Sequence, residues 1–429
     1  LEAIVRNDRE LEFGSGLAAL AVAAVVLIDV STAAGSTVTA ASCSRADVRA
    51  AIISASDGDT VVVPAGTCSW TGGVSFNKGI HLTGVGVGAV TLIHDAGTSY
   101  LLEVTEHATH LTEISRLRFV EGSGTADAHL AVYPGGRPVL VHDNYFETNN
   151  GLLRSIRWMP NRGVIWNNEF YSNQQDDGAI VFVDDTNVAS WSTASTMGMD
   201  DPDGESNVYV EDNLFREIFL GALDPDSNSR VVIRHNTFDN AAMASHGADT
   251  SLHGTRHWEI YDNDFIFTDH GDCDGSLTLN LNWFFYARGG TGVITDNILP
   301  DISSCAWGDK TEIYMTVQNI RRNSGPYPCW TTYPAPHQIG QSHDGVGPVT
   351  EPVHIWNNPG GGVHGIGDYE PDECGNGQTA VDYIQEGRDY VLGPKPAYTK
   401  FPYPHPLRAP IFADGFETGD TSAWSVIVP

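Results

Sequence analysis

The chain is short of basic residues. Lysine and arginine number 23 against 54 aspartates and glutamates, for a formal net charge of −31. Such a field repels nucleic acid and anionic membrane, and neither is an expected partner. It also repels an anionic polysaccharide unless calcium or a local basic patch intervenes. Long helical stretches are nearly absent after residue 60, which sets aside helical bundles. No CxxC pair occurs among the six cysteines, at 43, 68, 273, 305, 329 and 374, so zinc ribbons and iron–sulfur clusters lack support. Beyond the first 30 residues nothing approaches the roughly 20 apolar residues needed to span a bilayer. Only 18% of residues are charged, while glycines number 45. That balance suits many short strands joined by tight corners.

What the chain does have is a repeat. VHDNYFETNN (141–150), VIWNNEFYSN (164–173), VYVEDNLFRE (208–217), VVIRHNTFDN (231–240) and WEIYDNDFIF (258–267) each run from alternating apolar residues into Asn, one variable residue and an aromatic, and GVITDNILP (292–300) is a weaker copy. The asparagines at 144, 168, 213, 236, 263 and 297 are spaced by 24, 45, 23, 27 and 34 residues, and 45 reads as two units with one copy unreadable. A period of roughly 20 to 30 residues means one supersecondary unit stacked on the next, each too small to bury its apolar face alone. The chain is expected to form one elongated all-β solenoid.

At the start, LAALAVAAVVLI (17–28) follows Arg6 and Arg9 and precedes small residues, with candidate cleavage sites after Ala34 and Ala40. Residues 1–40 therefore read as a signal peptide or an apolar N-terminal segment, which if retained would serve anchoring or self-assembly. Export makes the protein secreted or extracellular, with the cell surface as an alternative, and makes disulfides the natural use of the cysteines. Cys43 with Cys68 is the most economical pair. Cys273 with Cys305 and Cys329 with Cys374 is the nearest-neighbour arrangement of the rest. Ser44 reads as the N-cap of a short helix over 44–55 with Asp47 in its third position, placed to lid the first coil.

The helix, the passage GDTVVVPAGTC (58–68) and the rungs ending in Asn-x-Phe together resemble the pectate-lyase-like superfamily of right-handed parallel β-helix proteins. The resemblance is clear over about residues 44–300 and weaker over 300–410. It implies a right-handed parallel β-helix with an N-terminal capping helix over 41–300, final coils and long C-terminal covering loops over 301–410, and a short tail over 411–429. Asn144, Asn168, Asn213, Asn236, Asn263 and Asn297 are then a corner ladder satisfying turn backbone groups, and Phe146, Phe170, Phe215, Phe238 and Phe265 an internal stack. The superfamily holds lyases, glycoside hydrolases, transferases, tailspikes and adhesins, so the fold does not choose a function.

Functional residues are expected where the repeat is interrupted. QDDGAIVF (175–182) is similar to the paired-acid segment of polygalacturonase-like hydrolases, and SHG (245–247) to their Ser-Gly-His-Gly segment. That likeness makes Asp176, Asp177 and His246 the catalytic candidates, with His257 from the nearby HGTRHW as a further one. No Arg-x-Lys follows to hold a substrate carboxylate, which weighs against pectin. A lyase would instead draw its base and neutralising groups from His253, Arg256 and His257 or from Arg154 and Arg157. Trp191, Trp283 and Tyr286, with Arg256, are the candidates for sugar binding, because flat apolar sugar faces stack on aromatic rings. Asp201, Asp203 and Glu205 alternate around Gly204 as a calcium loop would, or as a solvated acidic turn does. The leading expectation is a secreted protein cleaving glycosidic bonds of a polysaccharide, by hydrolysis rather than elimination. The alternative is a non-catalytic extracellular structural, filament or adhesin protein.

Overall fold

The computed structural model describes residues 35–408, apart from 98, 126, 149–153, 173–177, 184–190, 192–200, 250, 268–282, 301–310 and 360–363. The apolar segment at 17–28, Asp176, Asp177, Cys273, Cys305 and the tail 411–429 lie outside the described residues.

Parallel strands dominate, in a 12-stranded and a 16-stranded sheet. Val139–His142, Gly163–Trp166, Val208–Glu211, Arg230–Arg234, His257–Tyr261 and Thr291–Thr295 pair in that order along the 12-stranded sheet. The chain crosses to the 16-stranded sheet between each of them, which makes the fold a β-solenoid. From Gly163–Trp166 to Thr291–Thr295 both faces of this sheet are largely buried, so these strands read as near-continuous apolar runs. Val141, Ile165, Val210, Ile233 and Ile260 enter the main core. Their neighbours Leu140, Val164, Tyr209, Val232 and Tyr261 build a second apolar cluster on the opposite face, joined by Phe401.

One corner recurs with a fixed construction. Two residues link the strands, as in His142 to Tyr145 or Arg234 to Thr237. The first takes positive φ: Asp143, Asn167, Asp212, His235, Asp262, Asp296 and Asn357 all lie between 49° and 58°. Short polar side chains tolerate that left-handed conformation best. The second is the ladder asparagine. Asn168 Oδ1 accepts from the Asn144 N–H and Nδ2, both at 3.0 Å, while its own Nδ2 donates to the Val141 and Trp166 carbonyls and to Asn213 Oδ1. The same set repeats from rung to rung.

Asn168 bonds Asn213 directly, across 45 residues. The expectation of an unreadable copy between them is corrected: the interval is a single turn carrying an insertion. The ladder also continues past Asn297 to Asn358, 61 residues on. Next to the corner, Phe119, Phe146, Phe170, Phe215, Phe238 and Phe265 stack with centroids 4.6 to 5.0 Å apart.

The helix Arg45–Ser54 begins at Ser44, whose hydroxyl accepts from the Asp47 N–H at 3.3 Å. It buries Val48, Ala51 and Ile52, and Lys78 caps its other end by donating to the carbonyls of Ile52 and Ile53. Disulfides join Cys43 to Cys68 and Cys329 to Cys374, with Cα separations of 5.8 and 5.4 Å. No described helix is long and apolar enough to cross a membrane.

Residues 398–408 run along the second apolar cluster. Tyr398 donates to Glu259 at 2.7 Å, Lys400 pairs with Asp262 and Asp296, and Arg408 pairs with Glu211 at 2.8 Å. Beneath them Arg234 is fully buried. It pairs with Glu211 and donates to Tyr261 Oη at 3.0 Å and to the carbonyls of Phe401 and Pro402 at 2.7 Å.

Candidate active site

Side chains alternate along a strand, so charged residues one place away from the core point outward. In the 16-stranded sheet Arg157, Val181 and Asp224 are register partners on successive rungs, as are Ala244, Tyr286 and Tyr314. Asp224 is the penultimate residue of the long strand Leu214–Pro225, and Asp226 follows just past its end with its N–H still bonded to the Phe182 carbonyl at 2.9 Å. His246 follows the strand Thr237–Ala244, its N–H bonded to the Pro225 carbonyl at 2.8 Å. Arg288 follows Phe285–Ala287 on the next rung. The sheet thereby gathers two acids, a histidine and an arginine on one outer face.

Their contacts are close. Asp224 Oδ1 lies 2.7 Å from His246 Nδ1. Asp226 Oδ1 accepts from Ser251 Oγ at 3.1 Å and from the Ser227 N–H at 2.7 Å. Arg288 donates to the Ser245 carbonyl at 2.8 Å and to Asp249 at 3.2 Å, and its guanidinium sits 5.2 Å from the Tyr286 ring centre. Tyr286 accepts in turn from Gln318 at 2.8 Å. Asp224 is buried, whereas Asp226, His246 and Arg288 keep partial contact with solvent.

The two carboxyl groups are driven in opposite directions. Burial acts to raise Asp224, but the charge and hydrogen bond of His246, with Arg288 and Arg154, outweigh it and hold the carboxyl below the usual range. Burial raises Asp226 above that range; His246 opposes this, and the charges of Asp224 and Asp249 reinforce it. His246 rises to about 9, because its two aspartate neighbours overcome burial and the repulsion of Arg288. The surroundings thus push the proton affinities of two neighbouring carboxyl groups apart, which is the separation acid–base chemistry needs.

A cavity of about 400 Å³ opens beside this cluster, lined by Trp191, His253, Pro334, Pro336, His337 and Pro348 among others. Ser251 links the two, since its hydroxyl touches both Asp226 and the His253 carbonyl. Trp191 stacks on His337 at 3.9 Å and anchors its indole N–H on the Gly254 carbonyl at 2.9 Å. Burial holds His337 down to about 3, helped by His253 and Arg256. The lining contains no acid, lysine or arginine and sets the Trp191 indole among proline and histidine rings, suited to the flat face of a neutral ring.

The expected site residues divide among these regions. His246 lies in the acid cluster and Trp191 in the cavity. Arg256 is buried behind Trp191, 5.1 Å from its ring, and donates to Ser342 Oγ and the His343 carbonyl. His257 faces elsewhere, on the 12-stranded sheet, buried against Glu259 at 3.2 Å. Trp283 and Tyr286 pack against each other with tilted rings 4.4 Å apart and join Tyr314 and Tyr369, a group separate from the Trp191–His337 stack. Asp201, Asp203 and Glu205 do not converge. The Asp201 carboxylate accepts from the backbone of Glu205, Ser206 and Asn207 and from Tyr209 Oη, Asp203 is exposed, and Glu205 pairs with Arg137. Among the described residues, the groups whose ligand atoms lie close enough to hold a divalent cation are Asp57, His107, His110 and His81, Glu113, His142.

Sequence reasoning missed Asp224 and Asp226. The signal available was ALDPDS (222–227): two acids at alternate positions after an apolar strand, one turn before the SHG segment.

No protein-family model matches the chain, and no curated protein matches it. Solved structures do. An alginate lyase from Paenibacillus sp. str. FPU-7 shares 14% identity over 61% of this chain and 94% of that one, with a TM-score of 0.36. A PL6 family polysaccharide lyase from Pseudopedobacter saltans shares 14% over 78% of this chain and 79% of that one, with a TM-score of 0.37. The catalytic domain of a GH87 alpha-1,3-glucanase in complex with nigerose shares 12% over 77% and 66%, with a TM-score of 0.34.

Proposed function

We infer that the protein is an extracellular enzyme cleaving glycosidic bonds of a polysaccharide, and that it does so by hydrolysis at Asp224 and Asp226. The observation that carries this reading is the pair itself: two carboxyl groups on one outer face, one driven up and one driven down by their surroundings. Asp226 acts as general acid toward the leaving oxygen, and Asp224, kept ionised and oriented by His246, acts on the opposite side as base or nucleophile. Carboxyl groups roughly 6.5 to 9.5 Å apart leave room for a water and invert, whereas a separation of about 5 Å gives retention, so the configuration of the product tells whether Asp224 serves as base or as nucleophile. The Trp191 cavity receives a sugar ring next to the scissile bond. A neutral glycan fits both this lining and the strongly negative chain. The coil is taken to wind right-handed, as parallel crossover connections do.

The test is a screen of neutral and uronic polysaccharides, read both by new reducing ends and by the ultraviolet absorbance of an unsaturated product. Hydrolysis gives reducing ends alone; elimination gives both. On the best substrate, Asp224→Asn and Asp226→Asn each lower turnover at least about a hundredfold, while Asp176→Asn and Asp177→Asn report on the paired-acid segment. Unchanged turnover in both the Asp224 and the Asp226 variants refutes the assignment.

A further inference from the structure

We propose that His81, Glu113 and His142 form a binding site for a transition-metal ion of the zinc type. The site is independent of the proposed hydrolytic centre, being built on the outer face of the 12-stranded sheet and on earlier turns. The strands His81–Gly84, Thr112–Ser115 and Val139–His142 are consecutive neighbours, and the pairing sets His81 against Glu113 and Ser115 against His142. The core takes Leu82, Ile114 and Val141, so the alternate residues face out together.

The donor atoms converge. His81 Nε2 and His142 Nε2 lie 3.2 and 2.7 Å from Glu113 Oε1, and the ligand atoms of all three residues fall within 4.8 Å of one another. Tetrahedral zinc with bonds of about 2.0 to 2.1 Å holds its donors roughly 3.3 Å apart. Two imidazoles and one carboxylate are a donor set for zinc and its neighbours rather than for calcium, which takes oxygen ligands.

The surroundings are those of a ligand set. His142 Nδ1 lies 2.8 Å from Asp143 Oδ2, so the ring donates its Nδ1–H to a carboxylate and leaves Nε2, which faces Glu113 Oε1, as the nitrogen a metal would take. That second carboxylate is the usual partner of a metal-bound histidine. Trp166 stacks on the same ring at 4.1 Å and 13°, fixing its plane. Ser115 Oγ, 2.7 Å from His81 Nε2 and 2.9 Å from Thr83 Oγ1, adds a hydroxyl at the edge of the cluster. All three ligands are half-buried, shielded yet reachable from solvent. In the other cluster Asp57 and His110 are exposed, so two of its three ligands lack that shielding.

Chelator-treated full-length protein is titrated with zinc chloride by calorimetry, and bound metal is counted after dialysis. One zinc per chain is expected, not displaced by a hundredfold excess of calcium. Cobalt in its place should give the strong visible bands of a four-coordinate ion. Glu113→Gln, and the pair His81→Ala with His142→Ala, should abolish binding; Asp143→Asn should weaken it about 10- to 100-fold. Far-ultraviolet circular dichroism in chelator checks that each variant is folded, and Asp143→Asn keeps the test valid if a ligand variant is not. Absence of zinc binding in the parent overturns the proposal, leaving a hydrogen-bonded His–Glu–His triad. So does zinc retained by the double variant, or zinc lost instead on His107→Ala. Because metal content and turnover are measured separately, failure here leaves the Asp224–Asp226 assignment standing, and the converse.

Discussion

Asn168→Ala is the sharpest probe of what holds the turns in register. The substitution removes the acceptor for the buried Asn144 N–H, together with donors to two carbonyls and to Asn213. The Asn144 side chain keeps the Ile114 and His142 carbonyls as partners, so its loss is partial. An orphaned buried N–H costs about 1 to 3 kcal/mol and each further lost bond about 0.5 to 1.5. The expected destabilisation is about 3 kcal/mol, within a range of roughly 2 to 5. Asn168→Asp should be worse despite its near-identical shape, since an oxygen replaces Nδ2 and faces the Val141 and Trp166 carbonyls and Asn213 Oδ1. Urea unfolding followed by tryptophan fluorescence measures both, with Asn167→Ala as a comparison at the neighbouring position. A loss below about 0.5 kcal/mol for Asn168→Ala, or an aspartate milder than alanine, would refute the ladder as a source of stability.

Arg234→Met should destabilise by about 3 kcal/mol in urea, the low end for breaking a buried ion pair, because Arg408 still neutralises Glu211. Adding Glu211→Leu should recover part of that loss. Acid should weaken the fold through its buried neutral histidines. His129 and His337 are both held near 3, chiefly by burial, so their stabilisation is complete above about pH 6.5 and falls by about 1.4 kcal/mol per pH unit for each group as pH drops toward 3. A melting temperature flat from pH 7 to 4 would contradict this. Turnover should follow a bell, its acidic limb set by Asp224 and its basic limb by the raised Asp226, and His246→Gln should move the acidic limb upward by releasing Asp224 from its cation.

The solenoid was legible because its cause is periodic and local. Every rung writes the same apolar alternation and the same asparagine, and each asparagine needs only its counterpart one rung away. The Ser44 cap and the Cys43–Cys68 pair were legible for the same reason. What escaped was the meaning of 45 residues between Asn168 and Asn213, because spacing alone cannot tell a degenerate copy from an excursion. The residue before each asparagine also escaped: Asp, Asn or His is required there by positive φ, which no alternation pattern announces. The proposed acid pair escaped because Asp224 and Asp226 meet His246 and Arg288 only when those arrive from later rungs. The family-like segment singles out Asp176 and Asp177, which lie outside the described residues. His257 illustrates the converse: its sequence neighbourhood is rich in polar residues, but its strand belongs to the other sheet.

The two-residue corner gives the molecule an unequal tolerance for change. Between one asparagine and the next, the chain uses anything from 23 to 61 residues, yet the asparagines still bond each other. All of that variation is absorbed at the other bends of the coil. The asparagine edge behaves like the spine of a bound book, and the remaining edges like pages cut to different widths. One extra residue in the spine would displace the asparagine, turn the following strand's faces over and unbind the volume. Dozens of residues spliced into a page leave the binding untouched. New binding surfaces can therefore be written into this protein at the page edges, turn by turn, without renegotiating its core.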